Sequence, residues 1–76
     1  MHYVWVNTST KKKLGHPSPT LSCPKEAREV IEKTIGTSAI YWRALEHLTS
    51  RTNPELLNEW LLNRCISLKI IKWPVT

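Results

Sequence analysis

Histidine and cysteine are the side chains of this 76-residue chain that could bind a metal ion or carry out nucleophilic chemistry. They occur at His2, His16, Cys23, His47 and Cys65. Structural zinc sites pair their ligands as C-x₂-C or H-x₃₋₅-H, and no two of these residues have such a spacing. Cys23 and His16 could act as nucleophile and base, but no third orienting group and no oxyanion loop accompany them. We therefore expect no metal, no cofactor and no catalysis.

Lysine is distributed unevenly, which indicates a second kind of chemistry. Residues 1–25 contain four lysines and no acid, residues 26–65 contain all six acids, and the tail adds Lys69 and Lys72. The formal net charge of +5 therefore lies on the flanks of the chain. A basic flank suits a polyanion such as nucleic acid, because each neutralised phosphate releases counterions. We expect Lys11–Lys13 to contact phosphates; the alternative is that they belong to a solvated loop.

The elements that must position these residues begin with three predicted helices. The first helix begins near Pro24 and ends at Gly36, the second is capped by Thr37 or Ser38, and the third begins at Asn53-Pro54. An apolar stripe at i, i+3, i+4 spacing runs along each helix. Its residues are Ala27, Val30, Ile31, Thr34 and Ile35 in the first helix, Tyr41, Ala44, Leu45 and Leu48 in the second, and Leu56, Leu57, Trp60 and Leu61 in the third.

Short strands are predicted at both ends of the chain. Tyr3–Val6 is β-branched and aromatic, and Ile66–Ile71 begins with apolar residues at alternate positions. Residues 7–24 are rich in Ser, Thr, Pro, Gly and Lys and are predicted to form a loop. A chain of this length holds one domain at most. The expected fold is a single small domain over residues 1–76, mainly α with short terminal β-strands (β-α-α-α-β), with its three helices in residues 24–65.

The short connection Gly36-Thr37-Ser38 between the first two helices predicts a helix-turn-helix over residues 24–48. Residues Glu29–Leu68 resemble the DNA-binding domain of lambda-repressor/Cro-type (Xre-like) regulators. The resemblance is carried by EVIEKTIGTSAIYWRALEH, similar to that family's turn and recognition helix, and by NPELLNEWLLNRCISL, similar to its next helix. A rival resemblance, of LSCPKEAREVI to the opening of an excisionase or MerR-type helix-turn-helix, also points to DNA.

The lambda-repressor/Cro resemblance implies a small sequence-specific regulator, a repressor of phage or mobile-element type that binds double-stranded DNA. It implies a recognition helix over Ser38–Leu48, with Arg28 near the DNA backbone. The side chains expected toward base edges are Ser38, Ala39, Trp42 and Arg43, and His47 is a further DNA-binding residue of this helix.

A protein-interaction module is the alternative function. Trp42 lies opposite the Tyr41–Leu45 stripe, so its side chain is expected to be exposed or half-exposed on the second helix. A large exposed aromatic side chain beside Arg43 has the composition of a protein-binding hot spot. Such a module would be a phage-type inhibitor or an antitoxin-like partner that docks through an exposed Trp/Tyr helix face.

Assembly and location can also be predicted. Two terminal strands would form a sheet with open edges, which predicts a homodimer joined into a four-stranded sheet with Trp5 or Trp73 buried between subunits. The alternative is a monomer in which the loop of residues 7–24 folds over the strand edge. No apolar run is long enough to span a membrane, and two widely separated cysteines suit a reducing compartment. We therefore expect a cytoplasmic protein, in a bacterial cell or phage-infected host, that has no membrane contact.

Overall fold

Pairing between the two ends of the chain organises the fold. The computed structural model describes residues 2–51 and 53–74. Strand β1 (His2–Asn7) pairs antiparallel with β2 (Lys12–Ser18) on one side and with β3 (Leu68–Trp73) on the other. Between β2 and β3 the chain forms three helices, α1 (Lys25–Ile35), α2 (Ala39–Ser50) and α3 (Pro54–Asn63).

The prediction of a mainly α fold in the order β-α-α-α-β is wrong. The element order is β-β-α-α-α-β, and the fold is a small α/β domain with a three-stranded antiparallel sheet in the order β2-β1-β3. The three helices and the two terminal strands occur where the apolar spacing predicts them. The error lies in residues 7–24, where β2 forms instead of a loop. Helix α1 packs against β2 and α3 against β3, with α2 on α3, in place of the expected helix-turn-helix at the centre of a mainly helical domain.

Strand β2 forms because β1 offers it an edge, not because its own sequence favours a strand. Its sequence, KKLGHPS, shows no apolar alternation, and its pairing with β1 is interrupted between Tyr3 and Trp5. Gly15 lies at this irregularity with φ 75, and a Cβ atom added there would come 3.2 Å from Cβ of Pro24. A glycine is therefore required where β2 passes the start of α1.

The main core lies between the helices and one face of the sheet, here called the helix-side face. Successive side chains of a strand point to opposite faces, and directly paired residues share a face. Trp5, which pairs with Leu14 and Ile70, therefore lies on the helix-side face. The buried residues of this core are Trp5, Leu21, Ala27, Ile31, Leu45, Leu57, Leu61, Ile66, Leu68 and Ile70.

The helix ends follow from local chemistry. Gly36, with φ 75, ends α1, and its N–H donates to the carbonyl oxygen of Glu32. Asn53 caps α3, because its Oδ1 accepts hydrogen bonds from the backbone N–H groups of Glu55 and Leu56. Pro54 takes the first helical position, where a missing N–H costs nothing. Within the described ranges, no helix is both long and apolar enough to cross a membrane.

The sheet geometry expected for a homodimer is wrong. Strand β1 is paired on both sides, so the sheet has three strands and β1 has no open edge. Trp5 is 3% exposed and packs in the core of its own chain, so it cannot also fill an interface between subunits. A homodimer stays a prediction, and Trp73 and the outer edges of β2 and β3 remain available to it.

Candidate nucleic-acid interface

Charge divides between the two layers of the fold. All six glutamates lie in the helices, and together with the six lysines and arginines of residues 25–64 they sum to zero. The formal net charge of +5 therefore equals the five remaining lysines. These are Lys11 in the β1–β2 turn, Lys12 and Lys13 on β2, and Lys69 and Lys72 on β3. The sheet layer is basic, and the helix layer is neutral.

The second face of the sheet, away from the helices, is called the open face below. Lys13 and Lys69 both pair with Val6 of the central strand, so the three side chains share this face. By the same register the open face also carries an aromatic and several aliphatic side chains. Its residues are His2, Val4, Val6, Lys13, Lys69, Ile71 and Trp73. The open face therefore combines two exposed ammonium groups with a half-exposed indole.

Lys13 and Trp73 contact each other across the open face. The Lys13 Nζ atom lies 4.1 Å from the centroid of the Trp73 ring, within cation–π range. Lys13 is level with Val6 and Trp73 is level with His2, so the contact crosses the central strand near Val4. In this part of the central strand Val4 is 1% exposed although it is not part of the main core.

The turn between β1 and β2 presents Lys11. Oδ1 of Asn7 accepts hydrogen bonds from the N–H groups of Ser9 (2.8 Å) and Thr10 (3.2 Å), and the Asn7 carbonyl oxygen accepts from Lys11 N–H at 2.7 Å. Lys11 has φ 59, in the left-handed region that glycine and asparagine favour. The turn thus holds the exposed Lys11 in a backbone conformation that is unfavourable for a lysine.

The residues predicted on the second helix divide into two groups. Ala39, Arg43 and His47 are spaced four apart along α2, and all three are exposed, as is Ser38 at the helix start. Trp42 turns away from them. Its Nε1 donates a hydrogen bond to the carbonyl oxygen of Gly36 at 3.3 Å, and its side chain is half-buried.

Arg28, which is exposed on α1, lies beside Trp42. Its guanidinium carbon lies 5.9 Å from the Trp42 ring centroid. The two side chains line a groove of about 180 Å³ between α1 and α2. The other residues of the groove are Ser22, Cys23, Leu45, Glu46 and Thr49. The structure therefore separates Arg28 and Trp42 from the exposed face of α2, and Lys11–Lys13 lie on a different element again.

Cys23 is poorly suited to act as a nucleophile. Burial raises the pKa of its thiol to about 11, and the nearby Arg28 guanidinium only partly opposes this effect. The thiolate, not the thiol, is the reactive form, and the raised pKa keeps Cys23 in the thiol form at neutral pH. Within residues 2–51 and 53–74, no group of three or more His, Cys, Asp or Glu side chains is close enough to hold a metal ion.

A second cluster of aromatic and cationic side chains, at the contact of α2 with α3, escaped sequence reasoning. The Arg64 guanidinium carbon lies 4.4 Å from the ring centroid of Trp60 and 5.5 Å from that of Tyr41. Trp60 and Arg64 are four residues apart at the end of α3, a spacing that could have predicted their contact. Ile40, next to Tyr41, is 78% exposed.

Three comparisons with known proteins found no similar protein. No protein-family model, no curated protein and no solved structure matches this chain. The lambda-repressor/Cro resemblance therefore rests on the residues that carry it and stays a prediction.

Proposed function

We propose that the protein is a non-enzymatic nucleic-acid-binding protein that contacts phosphates through its sheet layer. The observation that supports this most is the division of charge, because the entire formal net charge of +5 belongs to five lysines of the strands and their turn. The six acids belong to the helices, so the charged side chains of the strands and their turn are all basic. A surface with this charge attracts a polyanion and gains free energy from released counterions.

The number of lysines that contact phosphates sets how strongly the binding constant depends on salt concentration. If all five lysines neutralise phosphates, log Kobs falls with log[salt] at a slope of about −4.5 on duplex DNA or about −3.5 on a single strand. Fewer contacts give a proportionally smaller slope. The slope therefore counts the lysines that take part.

A salt titration with matched variants tests the proposal. The variant Lys13→Ala/Lys69→Ala removes the two exposed charges of the open face, and Lys25→Ala/Lys33→Ala removes two exposed charges from α1. Both variants lower the net charge equally. We expect the sheet variant to reduce the magnitude of the slope by about 1.4 to 1.8 and the helix variant to leave it nearly unchanged. Equal loss in both variants, or no salt-dependent binding by the wild type, would refute the proposal.

Sequence-specific recognition of double-stranded DNA by α2 is a finer prediction within the same function. The exposure of Ala39, Arg43 and His47 on one side of α2 supports it, since these side chains are free to meet base edges. A regulator would need both parts, because phosphate contacts supply affinity and base contacts supply specificity.

Docking to a protein partner is the second candidate function. The contacts of Arg64 with Trp60 and Tyr41 favour it, because Trp, Tyr and Arg are the residues enriched at interface hot spots. The large exposed surface of Ile40 lies beside this cluster. The variant Tyr41→Ala/Ile40→Ser removes the apolar surface without changing charge. Partner binding that this variant abolishes, in a protein without affinity for nucleic acid, would favour the second function.

A further inference from the structure

We propose that the ligand of the open face is single-stranded nucleic acid, with one unpaired base stacked on Trp73. This inference rests on the proposed function and names the form of nucleic acid that the sheet binds. It is carried by the Lys13–Trp73 contact and by the composition of the open face around it.

Charge decides what kind of occupant the open face accepts. An apolar partner surface would have to bury the ammonium groups of Lys13 and Lys69, and a buried charge without a partner is costly. No acid lies on any strand of this chain, so the neutralising anion must come from the occupant. A strand of nucleic acid brings one phosphate with every base, and so meets the cations and the apolar surface together.

The Trp73 ring favours single-stranded nucleic acid over a duplex. In a duplex the flat faces of the bases are already stacked on each other, and a protein meets only their edges in the grooves. In a single strand the flat faces are free, and proteins bind them by stacking on aromatic side chains. Trp73 is half-exposed near the end of β3, and its nearest register neighbours on the open face are His2, Ile71 and Val4. Such a surface offers stacking and few hydrogen bonds to base edges, so little sequence preference is expected.

Lys13 takes part in both the phosphate contact and the stacking surface of the proposed site. Without a ligand its ammonium lies over the Trp73 ring and shields one side of it. When a phosphate attracts the ammonium, that side of the ring is released for a base. The two events support each other, because the lysine that leaves the ring neutralises the same nucleotide strand that brings the base.

The experiment measures binding of an oligothymidine of about 12 nucleotides, within the range of known single-strand site sizes, and of a hairpin duplex with the same phosphate count. Wild type is compared with Trp73→Leu, which removes the aromatic ring, and with Trp73→Phe, which keeps one. Circular dichroism confirms that each variant is folded. We expect wild type to prefer the single strand, Trp73→Leu to weaken that binding about 5- to 150-fold, and Trp73→Phe to retain much of it. Duplex binding should change little.

Tryptophan fluorescence gives a second readout. A base stacked on Trp73 quenches its emission, so titration with oligothymidine should quench wild type and Trp60→Phe but not Trp73→Phe. Salt-dependent binding that is equal for both forms of nucleic acid and unaffected by Trp73→Leu would overturn this inference and leave the proposed function intact. Absence of salt-dependent binding would overturn both. A sedimenting dimer that becomes a monomer in Trp73→Leu would assign the open face to a second copy of the chain, and would also overturn the inference.

Discussion

Asn58 on α3 binds the backbone of Ile70 on β3 through both ends of its side-chain amide. Nδ2 donates to the Ile70 carbonyl oxygen at 2.9 Å, and Oδ1 accepts from the Ile70 N–H at 2.6 Å. Because these backbone groups bond to α3, they point away from β1, at the outer edge of the sheet. The amide thus pairs with β3 as another strand would. It fixes α3 to the sheet and closes part of an edge that would otherwise be open to another chain.

Replacing Asn58 should therefore destabilise the fold. Asn58→Ala leaves the N–H and C=O of Ile70 partly buried without these partners, which costs about 1–3 kcal/mol. Urea unfolding measures the change. Asn63→Ala, at the exposed end of the same helix, is the control and should change stability by less than about 0.5 kcal/mol. Equal effects from the two substitutions would show that the amide pair contributes nothing.

Lys11→Gly should move stability and binding in opposite directions. Glycine adopts φ 59 without the steric cost that a lysine pays, so the variant should be more stable by about 0.5–1 kcal/mol. The same change removes a positive charge from the sheet layer and should weaken affinity for nucleic acid. Thermal unfolding and a binding titration at fixed salt check the two effects. A variant that is more stable than wild type and binds nucleic acid with the same affinity would exclude Lys11 from the interface.

Cys23 should make stability fall at alkaline pH. Its folded pKa of about 11 lies above its ordinary value of 9.0, so the unfolded chain loses the thiol proton first as pH rises. The stabilisation is therefore fully present below pH 9 and is lost as pH approaches 11. The loss should not exceed about 1–2 kcal/mol, because the thiol is only partly buried. Urea unfolding at several alkaline pH values should show this decline in wild type and a smaller one in Cys23→Ala.

Arg43→Ala tests recognition of duplex DNA by α2. If Arg43 reads a base edge, the variant should bind a preferred duplex about 1–3 kcal/mol more weakly and discriminate less between sequences. Arg51→Ala, an exposed arginine just after the same helix, serves as the charge-matched control. Selection from random duplexes, repeated for both variants, measures the preference. An unchanged preference in Arg43→Ala would remove α2 from base recognition.

The helices could be predicted from the sequence because their signals are local. Asn53-Pro54 begins α3 and Gly36 ends α1, and each residue acts within a few positions of itself. Strand β2 could not be predicted, because its only strong reason to form is the edge of β1. Without β2, neither the three-stranded sheet nor its register can be predicted.

The candidate site was predictable only in part for the same reason. The lysines of residues 11–13 are visible as a run, and their charge suggests a polyanion. Their relation to Lys69 and Trp73 depends on the register of both outer strands against β1, which spacing in the sequence does not contain. Trp42 was predicted to be exposed or half-exposed, and its side chain is half-buried. Helical spacing does not contain its hydrogen bond to Gly36 or its contact with Arg28.

A basic sheet layer against a neutral helix layer gives the molecule a permanent electric dipole, with its positive pole at the sheet. In the field of a polyanion this dipole experiences a torque that turns the sheet forward before contact. Collisions would then begin in a productive orientation more often than chance allows, and the association rate constant would rise. Added salt should slow association more than it speeds dissociation. The lysines of the sheet layer, not the total charge, would set how far the rate depends on orientation.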